Sequence, residues 1–383
     1  MKIVYVCDTP FSGIGGAIKS ATTICKGMVN REHNIRILLI GKDENLSIEG
    51  CSVDYYDQLF FYQKSNLIAK IWRCIIRCII YIKYFNSSDI DIVHVHSSSS
   101  AKFIAILRKY GLIRSNAKFI FNDRHYFEGY SERNKKIYIK TISSWDKIIC
   151  TTENNKNSWL NALKGRSKSK FVVIPNALEP FWFQYDSMKE KCIRNEFEIS
   201  DNDYVIGFSG RYEPWKRWDS ALDIARIMVK KPNIKFMIAI GKGSNGKEMK
   251  NIVEQFYSIA KDKVHVFIDV DFEEMEKFYY AIDFFVLTSE NESFGRTLIE
   301  AMTKKCITLS TNSGGAPNVI NNSEDLFEVG DALGAVKLIN SYISDSEKFE
   351  SQKENYLKLV RKFYQEKGML DAIEKIYYEL ERK

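Results

Sequence analysis

The sequence predicts an α/β protein made of two Rossmann-like halves, each a parallel sheet covered by helices. Three observations carry that expectation. Short β-branched runs alternate with helical patterns from end to end, the rhythm of βαβ units. With 383 residues and 45% hydrophobic composition, the chain is too long for one ordinary core and long enough for two. The alternation also breaks once, between Pro175 and Asp203, where Pro175 and Pro180 punctuate the chain, and then restarts.

The first series of strands reads KIVYVCD, NIRILLIG, DIVHVH, KFIFND, KIICTT and KFVVIP, with a helix from about Gly15 after the first. The second reads YVIGFSG, KFMIAIG, VHVFIDV, DFFVLTS and CITLST, each followed by a loop and a helical stretch. The expected domains are therefore residues 1–180 and 181–365, with a final helix over 366–383 returning to the first. In open parallel sheets ligands bind beyond the carboxyl ends of the strands, so the loops that follow strands are where chemistry is expected.

Composition narrows the function classes. Charged residues make up 27% and aromatic residues 13%, which is globular composition, and no solenoid-length repeat appears. Eight scattered cysteines without a CxxC pair suit reduced, packed thiols better than disulfides or zinc. The N-terminus runs directly into a strand and lacks the apolar core of a signal peptide, so a cytoplasmic location is expected. The net charge of +7 suits nucleic acid, an anionic membrane or a phosphorylated small molecule. Nucleic acid would call for aromatic platforms between the cations, and these are lacking outside one apolar helix.

Four post-strand loops are chemically unusual. After the first strand, Gly13, Gly15 and Gly16 lead into a helix, a way to bring backbone N–H groups close to an anion, though a plain tight turn fits too. In FSGRYEPWKRW, Gly210 precedes Arg211 and Lys216, a fork donor and a mobile ammonium suited to a diphosphate. In AIGKGSNG, Gly241 and Gly243 offer close backbone approach or a turn. In SENESFGRTLIEAM, Glu292 precedes a helix expected to begin near Phe294 or Gly295, and Glu300 lies about two turns on. Two carboxylates so spaced would accept hydrogen bonds from two polyol groups joined by a charged linker. For Glu300, flanked by Ile299 and Ala301, burial without a partner would be costly.

Together these motifs resemble the GT-B glycosyltransferases of family 4, the retaining group 1 enzymes. The E-x7-E element stands as Glu292 to Glu300, followed by Ala301-Met302, and G-R-x4-K as Gly210-Arg211 to Lys216. The GG loop stands as Gly15-Gly16, the PN element as Pro175-Asn176, and the GGxP turn as Gly314-Gly315-Ala316-Pro317, all in family order over nearly the whole chain. The resemblance implies two Rossmann-like domains facing each other across a donor-binding cleft. It implies that Glu292 holds donor-sugar hydroxyls, helped by backbone N–H groups of Phe294 and Gly295, and that Glu300 holds the ribose. Arg211 and Lys216 would clamp the diphosphate, with Gly16 closing from the other domain, so that no metal or other cofactor is required. Val270, in FIDVD, falls where the base is met, and His125 falls where many members carry a histidine near the donor sugar; His94 and His96 compete with it. Two departures stand out: Asn318 in place of the usual glutamate after GGxP, and Arg296-Thr297 in place of Leu-Pro, which would add a phosphate contact or alter sugar choice.

Residues Lys64 to Phe85 form a basic apolar helix, with Lys70, Arg73 and Arg77 on one face and Trp72, Ile75, Ile76, Ile79, Ile80 and Tyr81 around them. It is expected to pack its apolar side on the sheet and also to suit an anionic membrane interface. The resulting expectation is a retaining hexosyl or N-acetylhexosaminyl transferase using a UDP- or GDP-sugar. It would build a surface polysaccharide on a glycan or polyprenyl-linked acceptor at the inner membrane face. The alternatives are a GT-B sugar-nucleotide epimerase, which would turn the donor over without acceptor, and a nucleic-acid-binding protein with salt-sensitive oligonucleotide binding.

Overall fold

In a computed structural model the described residues are 1–7, 16–40, 48–56 and 67–382. They divide into two compact units, one of residues 1–177 with 366–383 and the other of residues 178–365. The last helix, Glu366–Glu381, thus belongs to the unit that the N-terminus begins.

The first unit is built on strands β1 (Lys2–Cys7), β2 (Asn34–Ile40), β3 (Cys51–Tyr56), β4 (Ile92–Val95), β5 (Lys118–Asp123), β6 (Lys147–Cys150) and β7 (Phe171–Val173). They pair in parallel in the order β3-β2-β1-β4-β5-β6-β7. Parallel strands are covered on both faces, which is why they read as unbroken apolar runs. Successive residues of β1 still serve opposite layers. Val4 and Val6 pack with Phe119, Phe121, Trp145 and Trp159, while Ile3 and Tyr5 pack with Ile373, Ile376 and Tyr377 of the last helix.

The second unit uses β8 (Tyr204–Arg211), β9 (Ile234–Gly241), β10 (Val264–Ile268), β11 (Phe284–Leu287), β12 (Ile307–Thr311) and β13 (Leu326–Phe327), all parallel. Their order, β10-β9-β8-β11-β12-β13, repeats the doubly wound arrangement of the first sheet. In each sheet the order reverses beside the first strand, at β1/β4 and at β8/β11, and such switch points leave a crevice at the strands' carboxyl ends. Helix starts are fixed locally. The side chains of Asp186, Asn245, Asp271, Asp331 and Asp345 each accept a backbone N–H of the first turn they precede.

The basic apolar helix, Leu67–Ser87, departs from expectation. Ala69, Tyr81, Tyr84 and Phe85 are its buried residues. Leu67, Ile68, Ile71, Trp72, Ile75 and Ile79 are instead 42–73% exposed. Lys70 and Lys83 are exposed and Arg73 is half-buried, while Arg77 turns inward, donating to Ser99 Oγ at 2.8 Å and stacking over Phe103. Lys64 lies outside the described residues. No helix among the described residues is long and apolar enough to cross a membrane, and the eight cysteines form no disulfide.

Candidate functional site

Three loops meet at the β8/β11 switch point of the second unit. Gly210 and Arg211 end β8, and the chain then makes a single 3-10 turn, Pro214–Lys216. The turn is pinned to the loop after β11 from both sides: Glu290 N donates to Trp215 O at 2.7 Å and Thr288 Oγ1 donates to Lys216 O at 2.9 Å. That anchoring aims Lys216 at Glu292, and Lys216 Nζ lies 2.5 Å from Glu292 Oε2. The ammonium also sits 4.4 Å from the centre of the Trp215 ring. Arg211 points outward and is exposed, beside Gly241 at the end of β9.

The backbone of Glu292 is held by the Gly314-Gly315 turn, since Gly315 N donates to Glu292 O at 2.7 Å. Gly314 has φ +60°, and a Cβ there would fall 2.2 Å from Glu292 O, so only glycine fits. Gly295, with φ +81°, is the residue before the helix Arg296–Thr303, which starts where the sequence predicted. Phe294 is buried in the apolar core, Thr297 is half-buried, and Gly243 lies in the turn after β9. Val270 follows β10 and packs against the same core.

Glu300, on the second turn of that helix, is not an unpaired buried acid. Its Oε1 accepts from Arg296 Nε at 2.8 Å and its Oε2 from Tyr279 OH at 3.0 Å. Arg296 Nη2 in turn donates to Glu179 Oε2 at 2.6 Å. Burial disfavours the guanidinium charge, but Glu300 and Glu179 outweigh it and raise Arg296 above its ordinary value. Arg296, read from the sequence as a phosphate or sugar contact, is thus engaged by two carboxylates of its own unit. Tyr279 and Glu179 escaped the sequence reading altogether. The i,i+4 spacing of Arg296 and Glu300 on one helix was the available signal for their pairing.

Behind Lys216, between the ends of β8 and β11, lies a small cavity lined in part by Ser209, Trp218, Leu287, Thr288 and Ser289. Among the described residues the buried hydroxyl of Ser289 has no hydrogen-bond partner, while Ser209 lies within hydrogen-bond reach of Tyr279. No group of three or more His, Cys, Asp or Glu side chains able to hold a metal occurs among the described residues.

The remaining predicted residues stand in the first unit. Gly16 opens the helix Gly16–Val29, and Gly15 lies outside the described residues. His125 is exposed just after β5, its backbone N–H donating to Asp123 Oδ1 at 3.0 Å. Asp123 is buried and also accepts from Tyr130 OH and Trp159 Nε1, each at 2.6 Å. Burial pushes its carboxyl above the usual range, partly offset by these donors. His94 is fully buried against Tyr5, its Nδ1 2.6 Å from Tyr377 OH.

Both halves are doubly wound, and the second brings an ammonium-carboxylate pair and a further carboxylate to one switch point. Residues 189–359 match the family described as Glycosyl transferases group 1, and residues 14–180 match Glycosyltransferase Family 4. The chain belongs to these group 1, family 4 glycosyltransferases. It is 24% identical over 393 residues to the N-acetyl-alpha-D-glucosaminyl L-malate synthase of Bacillus anthracis, covering 100% of this chain and 98% of the relative. It is 23% identical over 354 residues to an uncharacterized 41.2 kDa protein in the cps region of Klebsiella pneumoniae, covering 89% and 90%. Among solved structures it resembles Anabaena HepE in complex with UDP and glucose, with TM-score 0.80 at 16% identity over 99% of this chain and 100% of that one.

Proposed function

We propose that this glycosyltransferase moves a hexosyl or N-acetylhexosaminyl group, with retention, from a UDP- or GDP-sugar to a hydroxyl of a glycan or lipid-linked acceptor. The observation that carries the reading is the pairing of Lys216 with Glu292 at the β8/β11 switch point. An ammonium and a carboxylate held together there suit a ligand with adjoining phosphate and hydroxyl groups. In this reading Glu292 accepts hydrogen bonds from donor-sugar hydroxyls and Glu300 from the ribose. Lys216 and Arg211 neutralise the diphosphate as the bond from the anomeric carbon to its oxygen breaks. The acceptor oxygen bonds to the same face of that carbon, and its proton leaves with the diphosphate. The UDP complex of HepE supports the nucleotide class, and the names of the relatives support an N-acetylglucosamine-type sugar and a surface polysaccharide.

The acceptor is assigned to an anionic membrane, the inner face of the cytoplasmic membrane, because of the Leu67–Ser87 helix. Its exposed apolar residues from Ile68 to Ile79 form a stripe about 17 Å long. The helix has no acidic residue. Over residues 67–118, Lys70, Arg73, Arg77, Lys83, Lys102, Arg108, Lys109, Arg114 and Lys118 stand against only Asp89 and Asp91. That surplus equals the +7 of the whole chain. Two copies packed through this helix would bring its own Lys70, Arg73, Arg77 and Lys83 together with no acidic residue of the helix between them, and the stripe is narrow beside the roughly 800 Å² per partner of a stable dimer. An apolar stripe with Trp72 and surrounding cations suits the headgroup region of anionic lipid.

The test is a thermal-shift screen of UDP, GDP, ADP and their sugars, followed by product analysis with and without acceptor. One nucleotide series raising the melting point, with an α-linked product from an α-donor, supports the reading. Turnover of the donor to its epimer without acceptor, or no stabilisation by any nucleotide, overturns it.

A further inference from the structure

Glu300 carries two hydrogen bonds, one on each oxygen, from groups that no substrate supplies. An ionised carboxylate offers about four lone-pair positions. One position therefore stays open on each oxygen, and a vicinal diol presents one hydroxyl to each. Arg296 fixes the first oxygen through Nε, and its own Nη2 is held from the far side by Glu179, which lies just before the Pro180–Phe183 turn. Arg296 is 9% exposed and Glu300 8%. In so dry a place the direction of the carboxylate is fixed by Arg296 on one oxygen and Tyr279 on the other. With leucine at 296 the hold on the first oxygen is lost.

Resting on the nucleotide-sugar reading, we propose that Arg296 is a positioning residue: clamped between Glu179 and Glu300, it keeps the Glu300 carboxylate aimed to read both hydroxyls of a ribose. Arg296 itself touches no substrate. Its effect is a preference for nucleotides with an intact 2′,3′-diol over their deoxy counterparts.

The experiment measures binding of UDP, GDP and ADP and of their 2′-deoxy forms by calorimetry. The proteins are the wild type, Arg296→Leu, Arg296→Lys and the charge-balanced double variant Arg296→Leu/Glu179→Gln, which keeps the fold accessible if the single change does not fold. The wild type should prefer the ribonucleotide at least tenfold. The leucine variants should weaken ribonucleotide binding about tenfold while leaving the deoxy form within about threefold, so the preference collapses, and lysine should restore part of it. Leucine variants that keep both the affinity and the preference, with the fold intact, overturn the positioning role alone. A wild type that binds no nucleoside diphosphate overturns the donor reading with it.

Discussion

Lys216 and Glu292, 76 positions apart, meet at 2.5 Å with neither side chain more than 15% exposed. Any diphosphate that recruits Lys216 takes its ammonium from Glu292 or shares it. The two residues should therefore act as one unit in a double-mutant cycle. Lys216→Ala and Glu292→Gln are each expected to lower kcat by about 100-fold, and the double variant by little more than either. Steady-state kinetics of the three variants checks this; full additivity would show that the contact has no role in turnover.

Gly314 tests how far the sugar and nucleotide ends of the site are separable. Gly314→Ala drives a methyl group into the Glu292 carbonyl and strains a left-handed backbone, which costs about 1–3 kcal/mol. Glu300, held by Arg296 and Tyr279, is not part of that turn. The variant should lose at least tenfold in kcat/KM for the sugar nucleotide while binding the free nucleoside diphosphate within about twofold. Equal losses for both ligands, measured by calorimetry, would contradict the division of labour.

His94 gives the fold a pH dependence. Burial, and behind it the charge of Arg124, pull its imidazole down to about 3. An unfolded histidine titrates near 6.5, so the unfolded chain takes up this proton first as pH falls. The stability contributed by the neutral ring is complete above about pH 6.5. It is lost toward pH 3 at about 1.4 kcal/mol per unit once titration is under way. His94→Gln retains a partner for Tyr377 and should flatten the fall in Tm between pH 7 and pH 5. An unchanged slope would place the proton uptake elsewhere.

The exposed stripe of the Leu67–Ser87 helix predicts binding to vesicles that contain phosphatidylglycerol, weakened by salt and absent with neutral lipid. Ile71→Asp with Ile75→Asp should reduce co-flotation about tenfold or more without changing donor binding. Retained flotation, or a wild type that elutes as a dimer which the substitutions dissociate, would assign the stripe to another occupant.

The alternation of strand and helix was legible along most of the sequence because buried parallel strands leave unbroken apolar runs, but the half-exposed edge strand Cys51–Tyr56 and the two-residue Leu326–Phe327 leave no such run and were missed. The E-x7-E and G-R-x4-K spacings named the residues at the second switch point. What they could not name was the partner each residue would find, since Lys216 and Glu292 meet only through strand order. Glu300 shows the same limit: a buried acid demanded a partner, but Tyr279 comes from another helix and Glu179 from the chain before Pro180. The Leu67–Ser87 helix was legible only in part. Apolar residues occupy nearly every side of it, so periodicity could not say which face turns inward: Tyr81, Tyr84 and Phe85 are buried with Ile80 and Ile82 packed beside them, while Ile68, Ile71, Ile75 and Ile79 stay exposed.

The helix Glu366–Glu381 supplies Tyr377 to Tyr5 and His94, which stand at the start of the same unit. Between the two parts of that unit the ribosome must make residues 178–365. At roughly 5–20 residues per second, that is roughly 10–40 s during which the nascent first sheet has one face uncovered. Ile3, Ile92, Ile120 and Ile149 face the gap that the last helix fills. The second unit, continuous in sequence, meets no such delay. A chain stopped short of Glu366 would release a finished second unit joined to a first with an open apolar face, a natural substrate for chaperones.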